Sequence, residues 1–388
     1  MPTSPTFLII AGEASGDLHG ARLVQALKAA SPNSHIFGIG GDGMAAAGME
    51  LLFHIRDMAV VGFSEVIRHL PFLRKVMATV VAEVERRQPA VVILIDYPGF
   101  NLRLAKRLRE RGIKILYYIA PQVWAWGAKR IPKMVKLVDE MAVVFPFEAP
   151  LFSNAGLRTH FVGHPLLEGL SPKLTQQEFF LRNGFVKHKP LLGLLPGSRK
   201  HEITRLLPDM IATAQLLRDR YPDLQIGIGQ APTLPESLYR QFIPNPEIKL
   251  IPNGTYELMR ESTACIVCSG TATLETACFG TPLAIVYRVS RLSYEIGKRV
   301  VKLPYIGLVN VVAGRKIAPE FVQDEFKPQA VAETLAPYLQ HSQKREQFCG
   351  ELAHVRSRLG TPGASNRTAA IALRLAGVQQ NVFLAEAV

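Results

Sequence analysis

Cysteine is scarce in this 388-residue chain: Cys265, Cys268, Cys278 and Cys349 are the only four, all late and all in apolar or helical stretches. So low a count excludes a disulfide framework and suits buried thiols in a reducing compartment, so a cytoplasmic setting is expected. Cys265-Ile-Val-Cys268 has the spacing of a metal-binding pair. It lies in a predicted strand, however, where residues three apart face opposite sides, and no second pair completes a zinc site. Long apolar runs are also missing. The best candidates are broken by Asp96, by Pro98 or by the polar 269–276 stretch, short of the roughly 20 residues that span a bilayer. Met1 to Thr6 carries no basic region and runs straight into a strand, so no secretory leader is expected. No low-complexity segment or short-period repeat is present, which excludes a disordered chain and a solenoid.

What is present is apolar content and positive charge. Hydrophobic residues make up 48% of the chain, enough to build a core in each of two domains. The net charge of +13 calls for an anionic partner: nucleic acid, anionic lipid or a phosphorylated substrate. Apolar runs alternate with helical patterns throughout, the sign of a parallel sheet wrapped by helices, so the fold class is α/β. Strands are predicted near Thr6–Ala11, His35–Ile39, Val91–Ile95, Lys114–Ile119, Glu140–Val144 and His160–Val162, then near Leu191–Leu195, Gln225–Ile228, Ile248–Ile251, Ala264–Cys268 and Leu283–Val286. Helices are predicted over His19–Ala30, Asn101–Arg111 and about His201 to Leu217. Each half reads as a Rossmann-like doubly wound domain, residues 1–165 and 190–344, joined by a polar linker at 166–189. Helices within about 345–388 are expected to pack back on the first domain. Ligands of such sheets sit outside the carboxyl ends of the strands, which places the expected site in the cleft between the domains.

Motifs at strand ends carry the chemistry. Leu191–Leu195 stops at Pro196-Gly197-Ser198-Arg199 and delivers the chain to a helix N-terminus, where unpaired amides and the helix dipole favour an anion. Arg199 adds a planar charge suited to a phosphate, and Gly197 permits close backbone approach. The stretch Ser269-Gly270-Thr271-Ala272-Thr273-Leu274-Glu275 repeats the pattern after a second strand, with Glu275 placed to accept from ribose hydroxyls. Together they suggest a nucleoside diphosphate. In the first half, Gly12-Glu13-Ala14-Ser15-Gly16-Asp17-Leu18-His19-Gly20 opens a helix without G-x-G-x-x-G spacing. Ser15 or Asp17 can cap that helix, while Glu13 or His19 can reach a ligand. Gly38-Ile39-Gly40-Gly41-Asp42-Gly43 is equally glycine-dense, and two such loops suggest a bulky ligand. Asp96 stands at the exit of an apolar strand, a place for a general base whose pKa is raised by its surroundings. Gln122, Trp124, Lys129 and Arg130 combine aromatic and cationic surface suited to a sugar phosphate. Between Val61 and Val81, Phe63, Val66, Ile67, Leu70, Phe72 and Leu73 form an apolar stripe beside basic residues. It reads equally as a core helix and as one lying on a membrane surface.

These motifs, in order from about Phe7 to about Leu375, resemble those of the lipid-A-disaccharide synthase family of glycosyltransferases (family 19). The resemblance rests on Gly12–Asp17, Ile95-Asp96 with Phe100-Asn101, Val123–Trp126, Leu195–Arg199, Ser269–Glu275 and the 304–310 segment. Gly99 and Val309 depart from it, standing where an acidic residue and a proline are common. The resemblance implies a GT-B fold and an inverting, metal-independent transferase. Its reaction condenses UDP-2,3-diacylglucosamine with 2,3-diacylglucosamine 1-phosphate, giving the β-1,6-linked lipid A disaccharide 1-phosphate and UDP. It further implies Asp96 as the base, Arg199 and Asn310 as UDP contacts, and the 61–81 region as a peripheral contact with the cytoplasmic face of the inner membrane. No cofactor, metal or nucleic acid is expected; a homodimer is left open. Asp-x-Asp occurs nowhere, so Arg199 and helix dipoles are expected to stabilise departing UDP. Two alternatives stand beside this reading: a sugar-nucleotide epimerase, which shares the fold and the diphosphate seat, and a non-enzymatic basic protein binding membrane or nucleic acid, which accounts for the charge and the 61–81 helix but gives the paired turns and Asp96 no purpose.

Overall fold

The computed structural model describes residues 4–58, 63–291, 294–295, 298, 303–340 and 343–378, with the side chains of all but residues 63–70 and 126. Two compact units emerge: Met1–Pro165 together with the chain from Gly360 onward, and Leu166–Leu359.

The first unit is built on a seven-stranded sheet: β1 (Thr6–Ala11), β2 (His35–Gly40), β3 (Glu50–His54), β4 (Val91–Ile95), β5 (Lys114–Tyr118), β6 (Glu140–Val143) and β7 (Arg158–Phe161). Its order is β3-β2-β1-β4-β5-β6-β7, and every pairing is parallel. β4 is Val-Val-Ile-Leu-Ile, buried throughout, as a central strand covered by helices on both faces must be. β3 was not foreseen. It is an edge strand whose residues are half-buried or exposed, so it lacks the continuous apolar run of the central strands. The first helix begins at Ala14, five residues before the expected start, because Gly16 and Gly20 let it lie close to its neighbours. A β-carbon on Gly16 would stand 3.2 Å from that of Ala11, and one on Gly20 would stand 2.5 Å from the sulfur of Met44.

The second unit repeats the design with β8 (Leu191–Leu195), β9 (Gln225–Gln230), β10 (Ile248–Pro252), β11 (Ala264–Cys268), β12 (Leu283–Tyr287) and β13 (Glu320–Val322), ordered β10-β9-β8-β11-β12-β13 and again all parallel. Both sheets reverse their winding beside their first strand, between β1 and β4 and between β8 and β11, so each has its switch point where the motifs lie. Cys265, Cys268 and Cys278 are buried free thiols, Cys265 and Cys268 within β11. Burial pushes the thiols of Cys265 and Cys268 up to about 12, which leaves them unreactive.

Residues 166–189, read from sequence as a linker, are part of the second unit. Thr175 and Glu178 form a capping box on the helix Gln176–Asn183, and Phe179, Phe180 and Phe185 pack together. The helix Gln343–Arg358 also stays with this unit, where Arg356 donates to the carbonyl of Cys278 and Arg358 to that of Ala313. The chain returns to the first unit only from Gly360. There the helix Ala364–Leu375 is held by Arg367 donating to the carbonyl of Val162 and by Arg374 paired with Glu140 of β6.

The helix Phe63–Arg87 contains Pro71 and buries Val76, Met77, Val80, Val81 and Val84. Phe72 and Leu73, assigned from sequence to a membrane contact, are half-buried against the first unit's core, Phe72 edge-on to Phe53. The side chains of Phe63, Val66, Ile67 and Leu70 lie outside the described residues. No helix among the described residues is long and apolar enough to cross a membrane.

Candidate functional site

In the second unit, the ends of β8 and β11 open on a cavity of about 610 Å³. It is lined by Gly197, Ser198 and Arg199 from one turn and by Ser269, Gly270, Thr271 and Glu275 from the other. The sheet topology explains the meeting: β8 and β11 are adjacent and parallel, so the loops leaving them emerge side by side. Sequence reasoning missed the rest of the lining. Lys173 comes from the stretch read as a linker, and Asn253, Thr255, Tyr256 and Glu257 follow β10. The available signal was the end of every parallel strand in this sheet, since all of them face the same edge.

The first turn differs from the expected empty anion seat. Glu202, one turn into the helix Lys200–Arg220, folds back so that its Oε2 accepts from the amides of Ser198 at 2.9 Å and Arg199 at 3.1 Å. Its Oε1 accepts from the Arg199 guanidinium at 2.9 Å. A protein carboxylate therefore holds the amides predicted for a phosphate, and it orients Arg199, whose side chain is still 71% exposed. Gly197 is left-handed, φ +108°, and its role is to admit Glu202 rather than only a ligand. At the second turn, no side chain caps the helix Thr271–Cys278 behind Gly270, so its first amides have no carboxylate of this kind. Glu275 accepts from the Tyr256 hydroxyl at 3.0 Å, and burial raises its pKa.

Two residues assigned to the donor are committed elsewhere. Thr273 is fully buried and its hydroxyl donates to the carbonyl of Gly270. Asn310 is also fully buried: its Nδ2 donates to the Ala318 carbonyl and to Glu320, and its Oδ1 accepts from the amides of Ile317 and Ala318. It locks the loop before β13, which corrects its reading as a direct UDP contact. The Ser269 hydroxyl donates to the carbonyl of Ile306.

At the switch point of the first unit stands Asp96. Both it and Tyr97 have left-handed backbones, φ +43° and +47°, a strained pair held by the surrounding bonds. The amide of Asp96 donates to the Tyr118 carbonyl, and its own carbonyl accepts from the Tyr117 hydroxyl at 2.6 Å and from buried Asn101 at 2.8 Å. The helix Pro98–Arg109 begins behind Tyr97 with no side-chain cap, and the Asp96 carboxyl group accepts from the amide of Tyr97. Burial, reinforced by the negative charge of Glu13, pushes its pKa up to about 6. Tyr97 explains Gly12, because a β-carbon there would fall 2.2 Å from the tyrosine ring.

The glycine-rich loops of this unit bind the protein itself. Asp17 does not cap its own helix; its carboxylate accepts from the amides of Gly41, Gly43 and Met44 at 2.7–3.0 Å. Gly38, Gly40 and Gly43 have G-x-G-x-x-G spacing, which the sequence reading passed over, but each is close-packed. A β-carbon on Gly38 would stand 1.9 Å from the Ile9 carbonyl oxygen, one on Gly40 2.7 Å from the Met44 sulfur and one on Gly43 2.9 Å from Asp17. The inference of a bulky ligand from these two loops is therefore corrected: the second anion seat is filled by Asp17. Glu13 and Ser15 are exposed, Gly16 is buried and His19 is half-buried. Gln122, Lys129 and Arg130 are exposed beside half-buried Trp124.

Among known proteins, "Lipid-A-disaccharide synthase" of Geobacter metallireducens is 42% identical over 381 residues, covering 97% of this chain and 99% of that protein. The protein of the same name from Syntrophus aciditrophicus is 44% identical over 375 residues, covering 96% and 98%. Among solved structures, UDP-GlcNAc 2-epimerase from Neisseria meningitidis bound to UDP-GlcNAc superposes with a TM-score of 0.65 at 12% identity, covering 95% of this chain and all of that one. The calicheamicin glycosyltransferase does so with 0.60 at 15%, covering 96% and 99%. These two share the fold alone, the two Rossmann-like domains of GT-B enzymes. The family profile described as lipid-A-disaccharide synthetase matches residues 7–373, and with relatives this similar along their whole length, the chain belongs to that family.

Proposed function

We propose that this chain is the glycosyltransferase that condenses UDP-2,3-diacylglucosamine with 2,3-diacylglucosamine 1-phosphate, forming the β-1,6-linked lipid A disaccharide 1-phosphate and releasing UDP. The carrying observation is the family match over residues 7–373, joined to a cavity roomy enough for a nucleotide where both phosphate-type turns meet. The donor's UDP is assigned to that cavity, with its phosphates toward Arg199 and the open N-terminus of the helix Thr271–Cys278, and its ribose toward Glu275. Asp96 is assigned the proton of the acceptor's 6-hydroxyl. As that oxygen bonds to the anomeric carbon, the bond from this carbon to the UDP oxygen breaks on the opposite face, and UDP leaves with the electron pair. A carboxyl group with a pKa of about 6 is basic enough to accept the proton and still ionised near neutrality. Both substrates are acylated, so the chain is assigned to the cytoplasmic face of the inner membrane, as a peripheral protein.

The test is UDP release from the diacylated donor, with and without the monosaccharide phosphate. Release that depends on the acceptor, lost in Asp96→Ala while UDP still binds, is expected. Release of a rearranged sugar nucleotide without acceptor would overturn the assignment in favour of an epimerase, and undiminished turnover in Asp96→Ala would remove that residue as the base.

A further inference from the structure

Behind the exposed edge of the first unit lies a carboxylate that the proposed reaction does not use. Glu148, at the start of the helix Glu148–Ser153, is 1% exposed. Its Oε1 accepts from the indole N–H of Trp124 at 2.9 Å, and its Oε2 accepts from the amide of Phe145 at 3.1 Å. Burial pushes it up to about 7 despite these donors, and the charge of Asp96 contributes in the same direction. A buried carboxylate with no cationic partner among the described residues is a costly way to join two segments, since an apolar residue of similar size would avoid the desolvation. The arrangement calls for a purpose beyond stability.

What Glu148 joins is informative. Trp124 belongs to the short helix Val123–Trp126 after β5, and Phe145 follows β6. These are neighbouring parallel strands, so both segments lie at the carboxyl edge that also carries Asp96 at the end of β4. Trp124 stands perpendicular to Phe147 at 5.2 Å and to Phe145 at 6.3 Å, while the two phenylalanines stack at 5.4 Å. Rings alone would permit the indole to turn; the hydrogen bond to Glu148 fixes which edge points inward. Trp124 is only half-buried, and the exposed cations Lys129 and Arg130 follow it on the same strand-end segment. An aromatic side chain on a segment that also carries two cations suits a pyranose that bears a phosphate.

We propose that Glu148 is a positioning residue that fixes Trp124 as the aromatic wall for the sugar of the phosphorylated acceptor. The inference rests on the reaction proposed above. In Glu148→Gln one acceptor oxygen becomes an NH2 group facing either the indole N–H or the amides of Val144 and Phe145, so the tie between the indole and the strand end is broken on one side while the volume is kept. The expected result is a KM for the monosaccharide phosphate raised about five- to tenfold, equivalent to about 1–1.4 kcal/mol, with donor KM unchanged and kcat within about twofold. Trp124→Phe, which keeps a ring but removes the N–H, should act similarly, and the double variant should be no worse than either single one.

A second measurement does not depend on turnover. In a Trp126→Phe background, Trp124 is the sole tryptophan. Titration with 2,3-diacylglucosamine 1-phosphate should change its emission saturably, UDP alone should not, and adding Glu148→Gln should raise the half-saturating concentration by the same factor as KM. The inference is overturned if the acceptor leaves the emission unchanged, if Glu148→Gln leaves the half-saturating concentration unchanged, or if the effects of Glu148→Gln and Trp124→Phe multiply. Failure of the proposed reaction itself would be distinct: wild-type protein would release no UDP, whatever the fluorescence showed.

Discussion

Replacing Gly197 by alanine should damage the second unit in a way that can be apportioned. The new β-carbon would stand 2.3 Å from Oε2 of Glu202, on a backbone with φ of +108°. A non-glycine residue in such a sparsely populated region costs about 1–3 kcal/mol. Relieving the contact requires the Glu202 carboxylate to leave the amides of Ser198 and Arg199, and unpairing hydrogen-bonded groups of this kind costs about 1–3 kcal/mol. Ser198 and Arg199 are exposed, so water can replace part of the loss. The sum is then about 2–4 kcal/mol, read as a shift in the urea midpoint of the unfolding transition that includes the second unit. Arg199 would lose its carboxylate support in the same step, so UDP affinity measured by calorimetry should fall as well. Glu202→Ala separates most of the two costs, because it removes the carboxylate contact and leaves the backbone strain with a residual 2.9 Å approach of the two β-carbons. On that background Gly197→Ala should cost about 1–2 kcal/mol less than on the wild type. A loss below about 1 kcal/mol, or equal losses on both backgrounds, would refute the account of this turn.

The remaining predictions concern Asp96 and Asn310. Asp96 must be ionised to accept a proton, so kcat/KM should fall about tenfold per pH unit below about pH 6; Glu13→Gln should move that limb to lower pH, and a limb that stays in place would exclude Glu13 as a cause. For stability the sign is opposite. The folded pKa lies above the unfolded value, so the contribution of Asp96 is present below about pH 4 and lost as pH rises through about 6, and Asp96→Asn should flatten that part of a stability profile. Asn310→Ala, which leaves the amides of Ile317 and Ala318 and the Ala318 carbonyl without their partner, should cost about 2–4 kcal/mol while UDP affinity of the folded protein changes less than in Arg199→Ala. The reverse ranking would restore Asn310 as a ligand contact.

The central strands were legible from sequence because a strand covered on both faces must be apolar at every position, as β4 and β8 are. The edge strands β3 and β13 were not, since their half-buried residues carry no such run. Asp96, Arg199 and the 269–275 turn stand out in the sequence because each follows an apolar strand, and strand ends are where ligands of such sheets bind. The glycine loops misled for a physical reason. A glycine that admits a phosphate and one that admits a neighbouring side chain look alike in one dimension, and Gly43 admits Asp17 just as Gly197 admits Glu202.

By itself, then, the sequence determined the α/β class, the two doubly wound units and which strand ends carry the turns proposed for chemistry. These follow from local hydrophobic period and from the turn residues at strand ends. Tertiary structure alone decided which groups are already spent. Asp17 and Glu202 fill backbone anion seats, Asn310 and Thr273 are turned inward, Glu148 holds Trp124, and the chain rejoins the first unit only at Gly360. Each of these depends on a partner brought close by the fold, across the sequence or across a helical turn. Hydrogen-bond satisfaction is a property of packed neighbours, and it is settled only when the elements come together.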